Sequence, residues 1–376
     1  MKILQISSAR AMGGGERHLA DLANHLAGRG HDIHAAISPG SPLAKELRAL
    51  PKENIATIPL RNALDAASAL ELARLINRKE IEIVHVHMAR DYPLAAYAAR
   101  RNRKSRLIIT RHVMFPLSRL HGVTLSNVAR VIAVSEAVAR RLREQQLFPV
   151  DRIVTVPNGI DVARFAEVGR KFDDVAFRLK LGLPAAGRLV GTVGEINQLK
   201  GHEDFVRAAA NVAERFPDLH FIIAGEDSSA QKEHLLALQV LIAEVGLEKR
   251  IHHFGWLDDI AELYCAIDIF VSASHSESFG LAMAEAMASG TPVVATATDG
   301  ASEIIEDGVT GLLVSIGDAD SLAGSVAGLL GDEKRRQKLA EAGRLSVGER
   351  FSLERMVEAT EQVYRKALEP EGIAAR

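Results

Sequence analysis

Residues 268–296 read DIFVSASHSESFGLAMAEAMASGTPVVAT and contain one copy of the pattern that runs through the whole chain. Two short β-rich runs, DIFVSA and TPVVAT, flank a loop and a helical stretch. Strands that alternate with helices in this way form parallel sheets covered by helices. The stretch therefore predicts an α/β fold, and its loop follows the carboxyl end of a strand, where such folds bind ligands.

The helical part of this stretch is apolar on every face except at Glu285. Its other residues are Leu, Ala and Met, so we expect a helix that is buried all round. A buried carboxylate loses several kcal/mol of hydration and needs a bonding partner. That partner is either a Lys, Arg or backbone group of the chain or the two adjacent hydroxyls of a nucleotide ribose, and the spacing leaves both open.

The same alternation fills the rest of the chain and predicts two Rossmann-like units in tandem. The strand-like runs are KILQI, DIHAAI, IATIPL, IEIVHV, RLIIT, RVIAV and IVTV in the first unit, and RLVGTVG, HFIIAG, IHHFG, DIFVSA, TPVVAT and GLLVS in the second. The linker-like segment PNGIDVARFAEVGRKFDD separates them. We predict domains at 1–167 and 168–351, and a final segment, 352–376, whose helix returns to the first domain.

The composition is that of a soluble globular protein, with 47% hydrophobic and 25% charged residues among 376. Cys265 is the only cysteine, which excludes a disulfide framework and a cysteine metal site. The first residues, MKILQISSAR, lack the apolar core of a signal peptide, and no uncharged apolar run reaches about 18 residues. We expect a cytoplasmic protein that can contact the inner face of the membrane.

The charge is divided unevenly along the chain. Residues 1–165 carry 25 basic and 14 acidic side chains, or +11, and the remainder carries 21 and 34, or −13. The densest basic run is ARRNRKSR, with Arg100, Arg101, Arg103, Lys104 and Arg106. It is either a solvated helix end or a contact for anionic lipid or another anionic acceptor. Nucleic acid is disfavoured because only 5% of residues are aromatic and none interleaves the run.

Three loops that follow predicted strands contain residues suited to a phosphorylated ligand. After KILQI, Gly13, Gly14 and Gly15 precede a helix, which suits either a tight turn or a close ligand contact. After RLVGTVG, Lys200 precedes another helix and is either a surface lysine or a phosphate ligand. After DIFVSA, Glu277 precedes a helix start at which a pyrophosphate can bind free amides. The pattern G-x-G-x-x-G is absent, which disfavours a dinucleotide dehydrogenase.

Histidines mark the ends of two further strands. His112 follows RLIIT, and His85 and His87 lie in IEIVHV and just after it. Each is either a structural histidine or a group that contacts a sugar or acceptor hydroxyl. We interpret these three histidines as separated and predict no metal site. Asp318 and Asp320 are interpreted as a helix N-cap region and not as a manganese site.

These loops together resemble those of the retaining GT-B glycosyltransferases of family 4, which use nucleotide sugars, and the resemblance covers nearly the whole chain. Its most specific part is Glu277 followed eight positions later by Glu285, then AMASGTPVVAT and ASEIIEDGVTGLLV. PNGID, at 157–161, and the glycine loop with its helix and GHDI are also similar. The resemblance implies an α/β protein of two tandem Rossmann-like domains that face each other across a cleft.

The resemblance also implies roles for single residues. Glu285 would bind the donor ribose, Glu277 the hydroxyls of the donor sugar, and the amides from Phe279 to Leu281 the pyrophosphate. The predicted donor-binding residues are Gly14, Gly15, Lys200, Glu277, Ser278, Phe279, Gly280, Leu281 and Glu285. His112 and Glu277 are predicted as the catalytic residues, with His112 near the reacting sugar.

One position departs from the family pattern. Glu195 stands where the family often has an arginine that neutralises the leaving pyrophosphate. Either another cation substitutes, such as Arg10 or Arg17, or Glu195 turns away and Lys200 carries more of the charge.

The resulting expectation is a transferase that moves a hexose-type sugar from a nucleotide-diphosphate sugar to a glycan, lipid-linked or other hydroxyl acceptor, with retention and without metal or cofactor. Synthesis of a cell-envelope glycan or glycolipid is the expected setting. The alternatives are a nucleotide-sugar 2-epimerase of similar fold and a non-catalytic nucleotide-sugar-binding protein. A glycoside hydrolase is disfavoured because one carboxylate lies deep in a helix.

Overall fold

The structure is a computed structural model that describes residues 1–257 and 259–369, and its contacts divide the chain into two compact units. Unit 1 combines Met1–Gly159 with the segment that starts at Leu353, and unit 2 is Ile160–Ser352. This division lies eight residues before the predicted boundary after residue 167, because the helix at 162–171 packs on helices of unit 2. Residues 370–376 of the predicted final segment lie outside the described residues.

Unit 1 is built on a seven-stranded parallel sheet. Its strands are β1 (Lys2–Ser7), β2 (Asp32–Ile37), β3 (Ile55–Thr57), β4 (Ile83–Val86), β5 (Arg106–Arg111), β6 (Val128–Ala133) and β7 (Ile153–Thr155). Their order in the sheet is β3-β2-β1-β4-β5-β6-β7. The central strands are buried on both faces, which is why they read as continuous apolar runs.

The connections between these strands contain helices that cover the sheet. They are α1 (Gly14–Gly28), α2 (Leu43–Glu46), α3 (Ala66–Arg78), α4 (Tyr92–Arg100), α5 (Arg119–Thr124) and α6 (Glu136–Gln145). The apolar stripe of α1, which includes Leu19, Leu22 and Leu26, lies in the core of the unit. The loops that precede α1 and follow β5 leave the same edge of the sheet, since both start at the carboxyl ends of parallel strands.

Unit 2 repeats the architecture with a six-stranded parallel sheet. Its strands are β8 (Arg188–Val193), β9 (Leu219–Ala224), β10 (Ile251–Phe254), β11 (Ile269–Ser272), β12 (Val293–Thr296) and β13 (Leu312–Val314), in the order β10-β9-β8-β11-β12-β13. Its helices are α7 (Val162–Lys171), α8 (Asp174–Leu181), α9 (His202–Arg215), α10 (Glu233–Glu244), α11 (Ile260–Ala266), α12 (Leu281–Ala288), α13 (Asp299–Ile304), α14 (Ala319–Gly331) and α15 (Glu333–Arg350). Every strand-like run of the sequence corresponds to a strand, and the predicted α/β fold of two Rossmann-like units is confirmed.

Two further sequence-based interpretations concern helices. Asp318 caps α14 by accepting a hydrogen bond of 2.9 Å from the Ser321 amide, and Asp320 accepts one of 2.7 Å from Asn211, which agrees with the N-cap interpretation. Within residues 1–257 and 259–369, no helix combines the length and the apolar character that crossing a bilayer requires.

The last helix, α16 (Leu353–Leu368), belongs to unit 1 although the whole of unit 2 precedes it in the chain. Its apolar face packs on α1 and against β5 and β6, with Val357 and Tyr364 fully buried. Glu361 binds Arg29 at 3.1 Å, beside the C-terminus of α1, and also pairs with Arg365 on its own helix. The helix is therefore held by apolar packing and by one ion-pair group.

We predict that Glu361→Gln destabilises the protein at pH 7 and that the effect becomes smaller as the pH falls below about 4.5. The bond from Arg365, helped by Arg29, lowers the pKa of Glu361 from about 4.5 to about 2. A depressed carboxyl pKa adds stability above the ordinary pKa, and that stability is lost as the pH falls towards 2. Because its partners Arg29 and Arg365 are solvent-exposed, which screens the pairs, we expect a loss of about 1 kcal/mol at pH 7 and a smaller loss at pH 3, measured by urea unfolding. Glu80→Gln, at the exposed pair with Lys2, is the control and should change stability little at either pH.

Candidate functional site

Two neighbouring strands of unit 2 bring the predicted donor-site loops together. β8 and β11 pair in parallel, with Phe270 opposite Gly191, so the loops that follow them leave the same edge of the sheet side by side. A backbone hydrogen bond of 2.8 Å from the amide of His275 to the carbonyl of Leu199 joins the two loops. Lys200, from the first loop, and Glu277, from the second, therefore lie next to each other.

Lys200 and Glu277 form an ion pair with Nζ and Oε1 at 2.5 Å. The same carboxylate oxygen accepts a hydrogen bond of 3.0 Å from the hydroxyl of Ser274. Only 12% of the Glu277 side chain is exposed, so its charge depends on these partners. The structure thus places an ammonium group and a carboxylate together at the carboxyl edge of the sheet.

Two glycines allow the backbone to approach closely around this pair. Gly201 has φ +62° where α9 begins, and a Cβ there would lie 1.9 Å from the carbonyl oxygen of Ala273. Gly300, on α13, donates its amide to the carbonyl of Glu277 at 3.2 Å, and a Cβ there would lie 2.8 Å from that oxygen. Both glycines therefore hold the 273–280 loop in place, and Gly300 was not among the predicted site residues.

The loop ends at the start of α12, where Gly280 is the N-cap with φ +104°. The amides of the first turn of this helix have no partners inside the helix, as at any helix N-terminus. The Phe279 side chain is buried and packs edge-on against Phe351, with ring centroids 5.4 Å apart. Of the predicted pyrophosphate-binding residues, Phe279 can therefore contribute only backbone groups, whereas Ser278 and Leu281 are partly exposed.

The prediction that α12 is buried all round is wrong. Leu281, Ala282, Glu285 and Ser289 are all partly exposed, and their spacing places them on one side of the helix. Glu285 is therefore half-buried, and its Oε2 accepts a hydrogen bond of 3.0 Å from the hydroxyl of Tyr264. Burial, followed by the nearby carboxylate, raises the pKa of Tyr264 well above its ordinary value, so the phenol stays a neutral donor. This partner is neither of the two kinds that the sequence suggested.

Glu195, the departure from the family pattern, is exposed and accepts a hydrogen bond of 3.1 Å from the side chain of Asn197. The aliphatic stem of Lys200 packs instead on Gly194. A Cβ added at Gly194 would lie 3.5 Å from Cδ of Lys200. This geometry agrees with the alternative in which Glu195 turns away and Lys200 carries the charge. Of the two suggested substitutes, both in unit 1, Arg17 is 4.0 Å from Glu46 and Arg10 is exposed.

In unit 1 the glycine loop and His112 also come together. Gly13 is the N-cap of α1. Gly15 packs against the ring of His112, since a Cβ added at Gly15 would lie 3.5 Å from Cδ2 of that ring. The ring of His18, one turn further along α1, is 4.9 Å from that of His112. His18 Nδ1 in turn lies 2.9 Å from Oδ1 of Asn158, in the PNGID segment. The rings of His85 and His87 have centroids 4.2 Å apart, and His87 Nδ1 lies 3.2 Å from His112 Nε2, so the interpretation of these three histidines as separated is wrong.

A chain of buried polar groups leads from His112 into the core. Nε2 of His112 lies 3.2 Å from Nδ1 of His87, and Nε2 of His87 lies 2.8 Å from Oε1 of Gln5. The amide nitrogen of Gln5 donates to the hydroxyl of Tyr364 at 3.3 Å, and this hydroxyl is 2.6 Å from Nδ1 of His85. Because an amide oxygen only accepts, His87 carries its hydrogen on Nε2 and accepts from His112 through Nδ1.

His18, His87 and His112 are neutral at pH 7. Burial lowers the pKa of His18 to about 4, although the bond to Asn158 opposes the shift. Burial, followed by neighbouring histidines, lowers the pKa of His87 and of His112 well below 6.5. A neutral imidazole with a low pKa is a weak base, so His112 is suited to hydrogen bonding and not to proton abstraction.

The basic run predicted for the acceptor or membrane side lies at the other edge of the sheet. Arg106 begins β5, whereas His112 follows its carboxyl end. Arg100 binds the carbonyl of Thr124 at 2.7 Å, and Arg106 binds that of Ala367 at 3.2 Å, so both have structural partners. Arg101, Arg103 and Lys104 are exposed. The basic run therefore lies at the wrong edge of the sheet to contact an acceptor beside His112. Membrane contact remains a proposal for Arg101, Arg103 and Lys104.

Sequence reasoning missed several groups of these two sites. They are Gln5, His18, Asn158, Tyr264, Gly300 and Tyr364. Only His18 carried a local signal, because it lies one helical turn before Leu22 of the buried α1 stripe and a buried histidine needs a partner. The others become visible only when distant segments pack together.

The comparisons with known proteins agree with this architecture. Residues 12–164 match the family model described as Glycosyltransferase Family 4, and residues 175–346 match the one described as Glycosyl transferases group 1. The fold and the two matches thus define a glycosyltransferase class. Since the two matches together span most of the sequence, the chain belongs to the family 4, group 1 glycosyltransferases of GT-B fold.

Individual relatives are similar along nearly their whole length. The chain is 28% identical to the N-acetyl-α-D-glucosaminyl L-malate synthase of Bacillus anthracis, over 93% of this chain and 92% of that protein. It is 29% identical to the lipopolysaccharide core biosynthesis glycosyltransferase LpsE of Rhizobium meliloti, over 92% and 94%. The crystal structure of the Anabaena protein HepE in complex with UDP-glucose has a TM-score of 0.84 to this fold, with 21% identity and 97% and 100% coverage.

We predict that Gly201→Ala strongly destabilises unit 2. The left-handed backbone alone costs about 1–2 kcal/mol with a Cβ, and here the Cβ also overlaps a backbone carbonyl that cannot move freely. We expect a loss of at least about 3 kcal/mol in urea unfolding. Gly182→Ala is the matched control, because Gly182 has nearly the same φ, +65°, with nothing within 4 Å of its Cβ position. Equal losses for the two variants would contradict the close approach at Gly201.

Proposed function

We propose that this chain transfers a hexose-type sugar from a nucleotide-diphosphate sugar to an acceptor hydroxyl, with retention of anomeric configuration and without a metal ion. The observation that carries the proposal is the grouping of Lys200, Glu277 and the open face of α12 with Glu285. These groups lie in the loop after β11 and in the helix α12 that follows it, with Lys200 bound to the loop. They offer a cation, the free amides of a helix N-terminus and two carboxylates.

The chemistry of the grouping matches the three parts of such a donor. Glu285, on the open side of α12, is half-buried and suits the two hydroxyls of a ribose, with charge-assisted hydrogen bonds of about 1.5–3 kcal/mol each. The amides that begin α12 and the Lys200 ammonium suit the diphosphate. Glu277 suits the hydroxyls of the sugar, and its bond to Lys200 holds it in place.

The proposed mechanism follows from where charge develops. The bond between the anomeric carbon and the phosphate oxygen breaks, so the sugar gains cationic character and the diphosphate gains negative charge. Lys200 and the N-terminus of α12 stabilise that negative charge, which is the contribution that a metal ion makes in other transferases. The acceptor oxygen bonds to the anomeric carbon on the face that the phosphate leaves, and its proton passes to the departing phosphate oxygen.

His112 is proposed to position the reacting sugar through a hydrogen bond. Its low pKa keeps the imidazole neutral at pH 7 and makes it a poor proton acceptor in the reaction. The bonded chain through His87 and Gln5 fixes which ring nitrogen carries the hydrogen. His112 is therefore prepared to bind a hydroxyl without reorganisation.

The acceptor is proposed to be a glycan or lipid-linked hydroxyl compound of the cell envelope. One relative is named for L-malate and another for lipopolysaccharide core biosynthesis, so relatives of similar identity act on different compounds. In this chain the segment that follows His112 exposes Phe115, Leu120 and Val123. Exposed apolar side chains beside the candidate site favour an acceptor with an apolar part or a membrane surface.

Thermal-shift measurements with UDP, GDP and ADP sugars test the donor assignment, since a ligand of the native state raises the melting temperature by mass action. We predict that Glu285→Gln weakens donor binding by about 10–100-fold, because two charge-assisted bonds become neutral ones. Tyr264→Phe is the matched control, and it should lower stability more and donor affinity less. If Glu285→Gln lowers the melting temperature of the unliganded protein but changes donor affinity no more than Tyr264→Phe does, the residue is structural.

Product analysis with labelled nucleotide sugars then separates the reaction classes. Transfer or slow hydrolysis with release of the nucleoside diphosphate supports the proposal, and activity in excess EDTA supports metal independence. Isomerisation of the nucleotide sugar without an acceptor would identify an epimerase. Tight binding without turnover would identify a non-catalytic binding protein, for which Glu195 is the supporting observation.

We predict that anionic vesicles recruit more protein than neutral vesicles in flotation at low salt. Exposed cations near an anionic surface contribute about 1 kcal/mol each, and salt screens them. Reversing Arg101, Arg103 and Lys104 to Glu should abolish the difference. Reversing Lys334, Arg335 and Lys338, which are exposed on α15, changes the net charge equally and is the control. Equal recruitment by both vesicle types would exclude a role for the run at a membrane.

A further inference from the structure

Three histidines of unit 1 form a compact cluster that the proposed reaction does not use as a whole. They are His18 on α1, His87 after β4 and His112 after β5, and one ring nitrogen of each lies within 4.8 Å of the others. His87 Nδ1 and His112 Nε2 are 3.2 Å apart. Two nitrogens bound to a tetrahedral zinc ion at about 2.0–2.1 Å are about 3.3 Å apart, so this pair already has the required separation.

The two buried histidines of the cluster, His18 and His87, are oriented by amide side chains. His18 Nδ1 lies 2.9 Å from Oδ1 of Asn158, and His87 Nε2 lies 2.8 Å from Oε1 of Gln5. Amide oxygens only accept, so these ring nitrogens carry the hydrogens and the opposite nitrogens keep their lone pairs. Outer hydrogen bonds of this kind orient the histidines of metal sites and fix their tautomers.

We propose that His18, His87 and His112 bind a divalent transition-metal ion, with Zn²⁺ as the preferred ion. Three imidazole ligands with a fourth position for water or a hydroxyl group are a common zinc arrangement. Mg²⁺ and Ca²⁺ are disfavoured because the three ligands include no oxygen donor. On binding, His112 replaces its bond to His87 by a bond to the metal, and its Nε2 hydrogen moves to Nδ1 through solvent, so no net proton is released.

A metal ion at this cluster would inhibit glycosyl transfer. It would occupy the Nε2 atom of His112 and leave the hydrogen on Nδ1, so the ring nitrogen that can meet the sugar would change from an acceptor to a donor. Zinc would thus act as an inhibitor of a reaction that needs no metal. This consequence rests on the proposed function, whereas metal binding itself does not.

The test uses the full-length protein with any affinity tag removed and after dialysis against EDTA. Calorimetric titration with Zn²⁺ should give one tight equivalent, and Co²⁺ should give the visible absorption of a low-coordinate site. His18→Ala should weaken Zn²⁺ binding by about 100-fold or more, because loss of an outer-shell partner alone costs about 10–100-fold. His112→Gln, at a half-buried position that tolerates a polar side chain, is a second variant and should have a similar effect.

His220→Ala is the matched control. His220 and His252 in unit 2 have ring nitrogens 3.1 Å apart, and this variant removes one histidine from a two-histidine pair. It should leave the tight equivalent unchanged. The proposal is overturned if the wild-type protein binds no Zn²⁺ tightly, or if folded His18→Ala and His112→Gln bind it as the wild type does. Because titration requires no turnover, a protein without transferase activity would still decide the question of binding, and tight binding without inhibition of an active transferase would overturn the inhibitory role.

Discussion

The ion pair between Lys200 and Glu277 is the interaction on which the candidate site of unit 2 depends. It joins the loops after β8 and β11, and both charges are largely removed from water, so each would be costly without the other. The backbone around the pair is fixed by a hydrogen bond between the loops and by glycines that no larger residue can replace. An arriving phosphate would therefore meet an ammonium group already in position, and little side-chain entropy would be lost on binding.

The sheets could be predicted from sequence because parallel strands that are buried on both faces are continuous apolar runs. The loops of the site followed from the same reasoning, since ligands bind where such strands end. Lys200 and Glu277 were thus placed in the right loops, and the adjacency of β8 and β11 brings them together. The family resemblance supplied their proposed roles, which the strand pattern alone does not contain.

The remaining features depend on contacts between distant segments. Glu285 was predicted to be buried all round because its neighbours are apolar, yet the helix leaves one side open and Tyr264 supplies a hydroxyl from 21 residues away. His85 and His87 were interpreted as separated from His112 because about 25 residues lie between them, and only the pairing of β4 with β5 brings His87 and His112 together. The basic run was assigned as one surface. Arg100 and Arg106 instead bind backbone carbonyls, and the other three basic residues are exposed to solvent.

The position of α16 has a consequence for the order in which the chain acquires its structure during synthesis. Tyr364 on α16 accepts a hydrogen bond from Gln5 on β1, so β1 waits for a helix that is synthesised after the whole of unit 2. Ile160–Ser352 is a contiguous segment and can fold while translation continues. The amino-terminal part of unit 1 must stay incomplete, with part of its apolar core uncovered, until α16 has been synthesised. Chaperone protection during this interval would matter more for unit 1 than for unit 2.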